Sequence, residues 1–342
     1  MSIYFIGRET CLIIYILLFT SLQAVTVNQC LNYNDQVDEL GCYGSQTHAE
    51  IRGQFVLEEG NSKILELLKD RGDILLEKEI QHSYPYDWRT KKPVILRASK
   101  QWFVNTKSLQ EKGLKCLQNI EIHPKSAENG FQGVLENRPY WCVSRQRVWG
   151  VPIPVFYDSE KQEVVSKEIV DRCCDLIDQH GTDFWWKLST PQILEGLSIK
   201  NVENLTKGKD IFDVWLDSGI TWHNVIREDV KTSTENSPTV VDLYLEGLDQ
   251  FSGWFYSSLL TSLALQDCAP YKKLYVHGFT LDEKGRKMSK SLGNVIAPSF
   301  ITEGKTKKNS KGTVYGVDVL RFYISVFIFF KTKFYANSLL LQ

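Results

Sequence analysis

Apolar residues recur with a helical period in three stretches of the chain. Residues 64–76 carry seven apolar positions, which predict a helix followed by a strand-like run. Residues 168–177 place Ile, Val, Cys and Leu side chains on one broad face, a pattern typical of an amphipathic helix. Residues 254–265 show the same spacing. The pattern therefore predicts three helices.

Short continuous apolar runs next to turn residues predict the strands. One run covers residues 94–96, and another covers residues 240–245 and leads into a turn at Gly247. A third run, residues 273–279, also ends at a glycine turn. The order strand, turn, helix, strand, loop is typical of a parallel sheet covered by helices. An α/β fold is therefore predicted.

Three further segments do not fit the pattern of alternating strands and helices. Residues 232–238 are polar and predict a surface loop, and residues 305–312 hold four lysines. A solvated loop and a nucleic-acid contact both explain those lysines, and the solvated loop is the commoner case. Residues 326–330 are apolar on every side. They predict the start of an apolar helix with no further sequence beyond it to cover it, which suggests a truncated chain.

Composition and charge are those of an ordinary globular protein. Hydrophobic residues make up 43% of the 342 residues and charged residues 24%, and the formal net charge is −1. Two or three domains are expected at this length. Proteins that bind nucleic acid mainly through its phosphates are usually more basic. Any basic surface on this chain must therefore be local.

The cysteines and the N-terminus add little chemistry. None of the eight cysteines forms a Cys-x-x-Cys pair, so no zinc site is expected, and their scatter fits a reducing compartment. Residues 11–19 are an unbroken apolar run after Arg8 that resembles part of a secretory signal peptide. The run is too short for a membrane span, and residues 1–23 make a poor mitochondrial presequence. A secretory signal and an unrelated first exon both remain open.

The strongest chemical signal is the sequence KMSKS at residues 287–291. Lys287 and Lys290 stand three positions apart on a stretch rich in serine and glycine. Two mobile ammonium groups on such a loop can close over a triphosphate and offset the charge that develops on a leaving pyrophosphate. The alternative is a solvated basic turn. The flanking residues, GRKMSKSLGNV, favour the phosphate-binding interpretation.

Other motifs accompany this loop. They read DLYLEGLDQ at 242–250, IFDVWLDSG at 211–219, HGF at 277–279, NRPYWCVSRQRVWGVPIP at 137–154 and HSYPYDWRTKKPV at 82–94. Together with KMSKS they resemble the class I aminoacyl-tRNA synthetases. Residues 137–154 resemble the isoleucine enzymes more closely than the valine and leucine enzymes. Asp87 stands where many relatives carry cysteine, which affects no catalytic position.

The resemblance implies roles for individual residues. Lys287 and Lys290 are the expected catalytic groups. Glu246 is expected to hold the amino group of the aminoacyl-adenylate as a buried carboxylate, and Trp215 and Trp254 to wall the isoleucine side chain. The expected ATP site comprises Lys287, Met288, Ser289, Lys290, Ser291, Gly247, Asp249, Gln250, His277, Gly278 and Phe279.

Within that set, Asp249 and Gln250 are expected to meet the ribose hydroxyls. Taken alone, such a pair after a strand is more often a helix cap. Two tryptophans taken alone are more often core residues. The functional interpretation of both pairs therefore depends on the resemblance.

The resemblance also implies a domain plan. Residues 99–300 would be the second half of a Rossmann-like catalytic domain with a connective insertion. Residues 37–98 would be the tail of a β-rich editing insertion. Residues 301–342 would begin a helical stem and end in an unmatched tail, and residues 1–36 match nothing in the family.

The implied activity is ATP-dependent attachment of isoleucine to tRNA(Ile), with Mg²⁺ supplied with ATP and no zinc. The implied protein is a monomer without a membrane segment in the mitochondrial matrix, with the cytoplasm as the second choice. No His-x-Gly-His sequence occurs among the six histidines, and the editing motifs are not found. An inactive truncated fragment, at most a module that binds tRNA or adenylate, is therefore an alternative, and a secreted protein is another.

Overall fold

We analysed a computed structural model of the chain. The structure describes residues 36–38, 40–87, 89–96, 101–229, 240–282, 284–304, 313–330 and 334–335. The chain divides into two compact units, and the boundary lies between Gln101 and Trp102. Residues 11–19, 232–238 and 305–312, for which the sequence predicts a signal-like run and two loops, lie outside the described residues.

The described part of the first unit contains one helix, α1 (Glu59–Asp70), as predicted from the spacing of its apolar residues. Between residues 36 and 96, the strand-type contacts are three isolated bridges: Val37 to Tyr43, Cys42 to Phe55 and Tyr86 to Pro93. The described part of this unit therefore shows no extended β-ladder, although a β-rich remnant was expected.

Two strand predictions in this unit are wrong. Residues 74–76 form no strand, and the side chains of Leu75 and Leu76 are 102% and 81% exposed. Residues 94–96 also form no strand, and Leu96 is fully exposed. An apolar run becomes a strand only when a partner strand pairs with it and a core covers it. Neither condition can be read from a run of three residues.

The second unit contains the elements of an α/β fold. Its helices are α2 (Lys107–Leu117), α3 (Glu128–Glu136), α4 (Lys167–His180), α5 (Phe184–Lys187), α6 (Thr190–Ile193), α7 (Val214–Gly219), α8 (Thr221–Asp229), α9 (Trp254–Gln266), α10 (Pro298–Thr302) and α11 (Val317–Phe330). Short 3₁₀ turns cover Lys125–Ala127, Val202–Asn204 and Leu248–Ser252. Its strands are β1 (Phe103–Asn105), β2 (Glu121–His123), β3 (Tyr140–Cys142), β4 (Ser144–Arg145), β5 (Phe156–Tyr157), β6 (Glu163–Val164), β7 (Thr206–Lys207), β8 (Ile211–Phe212), β9 (Val241–Gly247), β10 (Tyr271–His277), β11 (Thr280–Leu281) and β12 (Phe334–Tyr335).

The central sheet is parallel and has the order β2-β10-β9. The predicted strand at residues 240–245 is confirmed as β9, and the predicted helix at residues 254–265 is confirmed as α9. The strand predicted at residues 273–279 is β10, which lies two residues earlier in the chain. Parallel pairing of β9 and β10 through a helical crossover was the expected arrangement.

Helix α9 is buried along most of its length, and two of its hydroxyl groups donate to backbone carbonyls. The side chain of Thr261 donates to the carbonyl of Gly219 over 2.7 Å, and that of Ser262 donates to the carbonyl of Cys268 over 2.7 Å. A Cβ atom on Gly219 would lie 3.0 Å from the backbone of Ser257. Small residues therefore let α7 and α9 approach closely, which fixes α7 beside the sheet.

A second core cluster forms around α4, which lies between β6 and β7 in the chain. The sequence predicted one apolar face, and all six of its members are buried: Ile169, Val170, Cys173, Cys174, Leu176 and Ile177. Trp185 is fully buried against this helix, and its indole N–H donates to the carbonyl of Gly208 over 3.1 Å. The prediction for this helix is confirmed.

The start of α4 gives a testable stability prediction. The Ser166 hydroxyl oxygen accepts a hydrogen bond from the backbone N–H of Ile169 over 3.3 Å. Ser166→Ala removes this cap and should lower the free energy of unfolding by about 1 kcal/mol, measured by urea denaturation. Ser159→Ala, an exposed loop change, serves as control. Equal stability of the two variants would show that the cap contributes nothing.

The remaining described strands form short sheets. β1 pairs with β3, β4 with β8, and β5 with both β6 and β7, all antiparallel, whereas β11 pairs with β12 in parallel. Residue 326 does not start a helix, because α11 already begins at Val317. Helices in the described part of the chain are too short or too polar to cross a membrane.

Candidate active site

The ends of β9 and β10 bring two of the predicted motifs together. Gly247 pairs with His277 at the carboxyl end of the parallel sheet. A Cβ atom on Gly247 would lie 2.7 Å from a carboxylate oxygen of Asp249 and 3.6 Å from the imidazole ring of His277. The turn is therefore tight at Gly247, although the nearest atom belongs to the exposed and movable side chain of Asp249. Ligands of open α/β sheets bind at this edge.

The turn after β9 positions Asp249 and Gln250. The side-chain oxygen of Gln250 accepts from the backbone N–H of Trp254 over 3.1 Å, and its side-chain nitrogen donates to Asp249 over 3.1 Å. Gln250 thus caps the start of α9, which was the structural alternative for this pair. Asp249 is exposed. Their contact with ribose stays a prediction.

The expected burial of Glu246 is wrong. Its side chain is exposed at the end of β9, where it lies in register with Val276. β9 is an outer strand of the described three-stranded sheet. Side chains at the end of an outer strand reach solvent unless another element covers them. The sequence position of a glutamate does not reveal whether such a cover exists.

The two predicted pocket tryptophans occupy different environments. Trp254 is half-buried and stacks on Tyr244, with 3.9 Å between ring centroids and 7° between ring planes. Its indole N–H donates to the carbonyl of Ser218 over 2.8 Å. The ring of Trp215 lies 3.1 Å from the position that a Cβ atom on Gly253 would take. Because Gly253 has no side chain, the ring of Trp215 can lie close to the backbone just before Trp254. Trp254 also packs against the hydrophobic core.

A cleft of about 330 Å³ opens beside Trp215. That volume is at the small end of ligand-binding pockets. Arg145 and Asp213 form an ion pair in its wall, with 2.8 Å between guanidinium nitrogen and carboxylate oxygen. The cleft is lined by residues that include Arg138, Arg145, Asp213, Trp215, Gly253 and Tyr256. Its wall is therefore partly aromatic and partly charged.

A carboxyl group that the sequence analysis did not single out is buried near this cleft. One side-chain oxygen of Asp217 on α7 is buried and has no hydrogen-bond partner. Burial, and then the neighbouring Asp213, raise the pKa of Asp217 to about 7. No sequence signal marked it, because a single turn of helix does not reveal the depth of each side chain.

The lysine loop folds back on the end of β10. The ammonium nitrogen of Lys287 lies 3.4 Å from the ring centroid of Phe279, a cation–π contact. The backbone N–H of Met288 donates to the carbonyl of Thr280 over 2.9 Å, and Lys287 forms a bridge with Leu281. Both Lys287 and Lys290 have exposed side chains. The KMSKS residues thus lie at the edge where the HGF residues end.

Two residues that sequence reasoning gave no role hold this loop. The buried carboxylate of Asp282 accepts from the side-chain amide of Asn294 over 2.9 Å. Asp282 also pairs with Arg286. An aspartate three residues before a glycine is a turn signal, which could have marked Asp282. Its contact with Asn294 across twelve positions could not have been read from the sequence.

Metal-binding groups are sparse in the described part of the chain. Among the described residues, no three His, Cys, Asp or Glu side chains gather closely enough to hold a metal ion. None of the described cysteines forms a disulfide.

The arrangement suits an anionic, nucleotide-like ligand. It combines the carboxyl ends of two parallel strands, a tight turn at Gly247, and a loop with two exposed cations. Such groups can bind a triphosphate and stabilise negative charge that develops during its cleavage.

Comparison with known proteins gives a consistent result. The family model described as tRNA synthetases class I (I, L, M and V) matches residues 18–329. The chain is 45% identical over 295 residues to the mitochondrial isoleucine–tRNA ligase of Gallus gallus. The matched residues cover 84% of this chain and 29% of that protein. It is 44% identical to the isoleucine–tRNA ligase of Prochlorococcus marinus strain NATL2A, with 86% of this chain and 30% of that protein covered.

A shorter relative matches over more of its own length. The probable mitochondrial isoleucine–tRNA ligase of Ciona intestinalis is 41% identical over 300 residues, which cover 86% of this chain and 69% of that protein. The chain thus spans less than a third of the first two relatives and about two thirds of this one.

Proposed function

Because this chain belongs to the class I tRNA synthetase family, we propose that it acts as an isoleucine–tRNA ligase. The observation that carries the proposal is the lysine loop at the carboxyl edge of the parallel sheet, where Lys287 contacts Phe279. The relatives named above support isoleucine as the amino acid.

In the proposed first step, a carboxylate oxygen of isoleucine attacks the α-phosphorus of ATP. A new C–O–P linkage forms, the bond from the α-phosphorus to the bridging oxygen breaks, and pyrophosphate leaves with the electron pair. Lys287 and Lys290 offset the negative charge that moves onto the leaving group. Mg²⁺ arrives with ATP as the counter-ion of its phosphates. The acyl group then passes to a hydroxyl of the terminal ribose of tRNA(Ile), releasing AMP.

The residues around Gly247 are proposed to hold the rest of the adenylate. Gln250 can keep the cap of α9 through its side-chain oxygen while the second N–H of its side-chain nitrogen donates to a ribose hydroxyl. Glu246, which is exposed, is proposed to meet the substrate ammonium group. Trp215 and Trp254 supply the flat apolar surfaces that suit a branched aliphatic side chain.

The mitochondrial matrix is the proposed compartment, and the mitochondrial relatives support it, although bacterial relatives match at similar identity. A monomer is the proposed state, and tRNA(Ile) the proposed macromolecular partner.

One observation favours a second candidate function. The sequence contains no His-x-Gly-His segment. In the family, this motif helps to hold the phosphates of ATP. The second candidate is therefore a module that binds adenylate or tRNA without turnover.

The test is isoleucine-dependent exchange of radioactive pyrophosphate into ATP by the purified chain. Exchange that needs isoleucine and is not supported by leucine would establish amino-acid activation. No exchange, together with binding of a non-hydrolysable isoleucyl-adenylate analogue by calorimetry, would reject the ligase in favour of the binding module. Failure of both measurements would reject the ligase and the adenylate-binding module.

A further inference from the structure

A buried carboxylate organises the segment that precedes the KMSKS residues. Asp282 follows β11 and is only 6% exposed. One of its oxygens accepts from the backbone N–H groups of Lys284 and Arg286 over 3.0 and 2.8 Å. The other accepts from the Arg286 guanidinium over 2.9 Å and from the Asn294 amide over 2.9 Å. These donors turn the chain sharply between β11 and the loop.

The side chain of Asn294 closes the loop from its far end. Its amide nitrogen donates to Asp282 over 2.9 Å and to the carbonyl of Lys287 over 3.2 Å. Its oxygen accepts from the backbone N–H of Ser289 over 2.9 Å. One side chain thus ties together three points along the loop. An amide group is needed because it donates and accepts at once.

The contacts inside the loop leave the cationic side chains outside. The Ser289 hydroxyl accepts from the backbone N–H of Leu292 over 3.2 Å, and the N–H of Gly293 donates to the carbonyl of Lys290 over 3.2 Å. Gly293 has a φ of +66°, which favours glycine. The backbone is therefore fixed at several points, while the side chains of Lys287 and Lys290 are exposed, with the ammonium group of Lys287 over the ring of Phe279.

We propose that Asp282 and Asn294 are positioning residues that hold the lysine loop in the shape that presents Lys287 and Lys290 to the phosphates of ATP. The proposal rests on the proposed function, because it takes ATP as the ligand of the loop. Neither residue needs to touch the nucleotide. Asn294 acts through the carbonyl of Lys287 and the N–H of Ser289. Asp282 acts through the side chain of Asn294 and the backbone N–H groups of Lys284 and Arg286.

The carboxylate of Asp282 does not change its charge near neutral pH. The Asn294 amide, together with the backbone and side chain of Arg286, lowers the pKa of Asp282 to about 2. The carboxylate therefore stays ionised at neutral pH and keeps its donors. The stability that these donors supply is complete above pH 4 and is lost only as pH falls toward 2.

The sharpest test is Asn294→Asp. The new side chain keeps the shape of asparagine but cannot donate, and it places a second carboxylate against Asp282. We expect the turnover number for isoleucine-dependent pyrophosphate exchange to fall about 100-fold, while the KM for isoleucine stays within a few-fold of its original value. The new carboxylate can still accept from the N–H of Ser289, so a loosened loop should appear as lost hydrogen–deuterium exchange protection at the backbone amide of Leu292. Asn119→Asp, at an exposed turn, is the matched control and should change neither.

A double exchange of the pair tests positioning against simple disruption. Asp282→Asn combined with Asn294→Asp restores one donor and one acceptor between the two side chains. It should recover part of the activity that each single change loses. Unchanged turnover in Asn294→Asp, despite loss of amide protection, would overturn the proposal and leave the proposed function intact. Wild-type chain that neither exchanges pyrophosphate nor binds ATP would overturn both.

Discussion

Lys290→Ala should lower isoleucine-dependent pyrophosphate exchange by about 100–1000-fold, the cost typical of losing one group that stabilises charge in a transition state. Lys290 has an exposed ammonium on a loop whose backbone is fixed on both sides. Alanine at this position removes the charge and leaves those backbone contacts in place.

The effect should fall on turnover more than on binding of isoleucine. Charge accumulates on the pyrophosphate oxygens only as the bond breaks, so the ammonium group interacts most strongly in the transition state. The expected pattern is therefore a large fall in the turnover number with a KM for isoleucine close to that of the wild type. A rise in that KM with unchanged turnover would assign Lys290 to substrate binding instead.

Lys284→Ala is the matched control for this experiment. Lys284 is also exposed, lies six residues earlier in the same segment, and contacts Asp282 through its backbone N–H, which alanine retains. Its replacement should leave exchange almost unchanged. Equal losses in both variants would mean that the loop acts through its overall positive charge. Equal activity in both would remove Lys290 from the mechanism.

The sequence was sufficient for the central part of the fold because buried parallel strands and their helices carry strong apolar patterns. β9, α9 and the buried face of α4 were all predicted from such runs. Residues 74–76 and 94–96 carry similar short runs but form no strand. Their conformation depends on partners elsewhere in the chain, which a local pattern cannot specify.

The residues of the candidate site were also predicted only in part. The KMSKS residues and the HGF residues were identified from the sequence, and the structure brings Lys287 and Phe279 into contact. The exposure of Glu246 was not predicted, because it depends on what covers the sheet edge. The contact of Asp282 with Asn294 was not predicted either. Polar side chains twelve residues apart leave no periodic signal.

Asp217 gives the second large prediction, which concerns stability and not turnover. The group is buried, one of its oxygens lacks a partner, and its pKa is raised to about 7. A buried carboxyl group of this kind resists ionisation because the charge would leave water without gaining a counter-ion. The nearby Asp213 adds repulsion, although it is itself paired with Arg145.

The sign of the pH dependence follows from proton binding. Between pH 4 and pH 7 the folded chain holds a proton on Asp217 that the unfolded chain has released, so stability falls as pH rises through this range. A rise in pKa from 3.8 to about 7 corresponds to roughly 4 kcal/mol once pH exceeds 7. That amount is a large part of the total stability of an ordinary domain.

Asp217→Asn should therefore stabilise the chain by up to roughly 4 kcal/mol at pH 8, with a gain that shrinks steadily toward pH 4. Urea unfolding followed by tryptophan fluorescence at several pH values measures this gain. Asp242→Asn is the control, because Asp242 is exposed and pairs with Lys272 at the surface. It should change stability little, with a small loss and not a gain.

The combination of stability and activity in Asp217→Asn decides what the buried acid is for. A chain that retains an ionisable group at such a cost usually uses it, and groups with strongly shifted pKa values cluster at functional sites. A variant that is more stable but loses pyrophosphate exchange would place Asp217 in the working site beside the Trp215 cleft. A variant that is more stable and equally active would make it a tolerated defect of α7. Loss of stability at pH 8 would show instead that the carboxylate has a partner in solution and that its pKa is not raised.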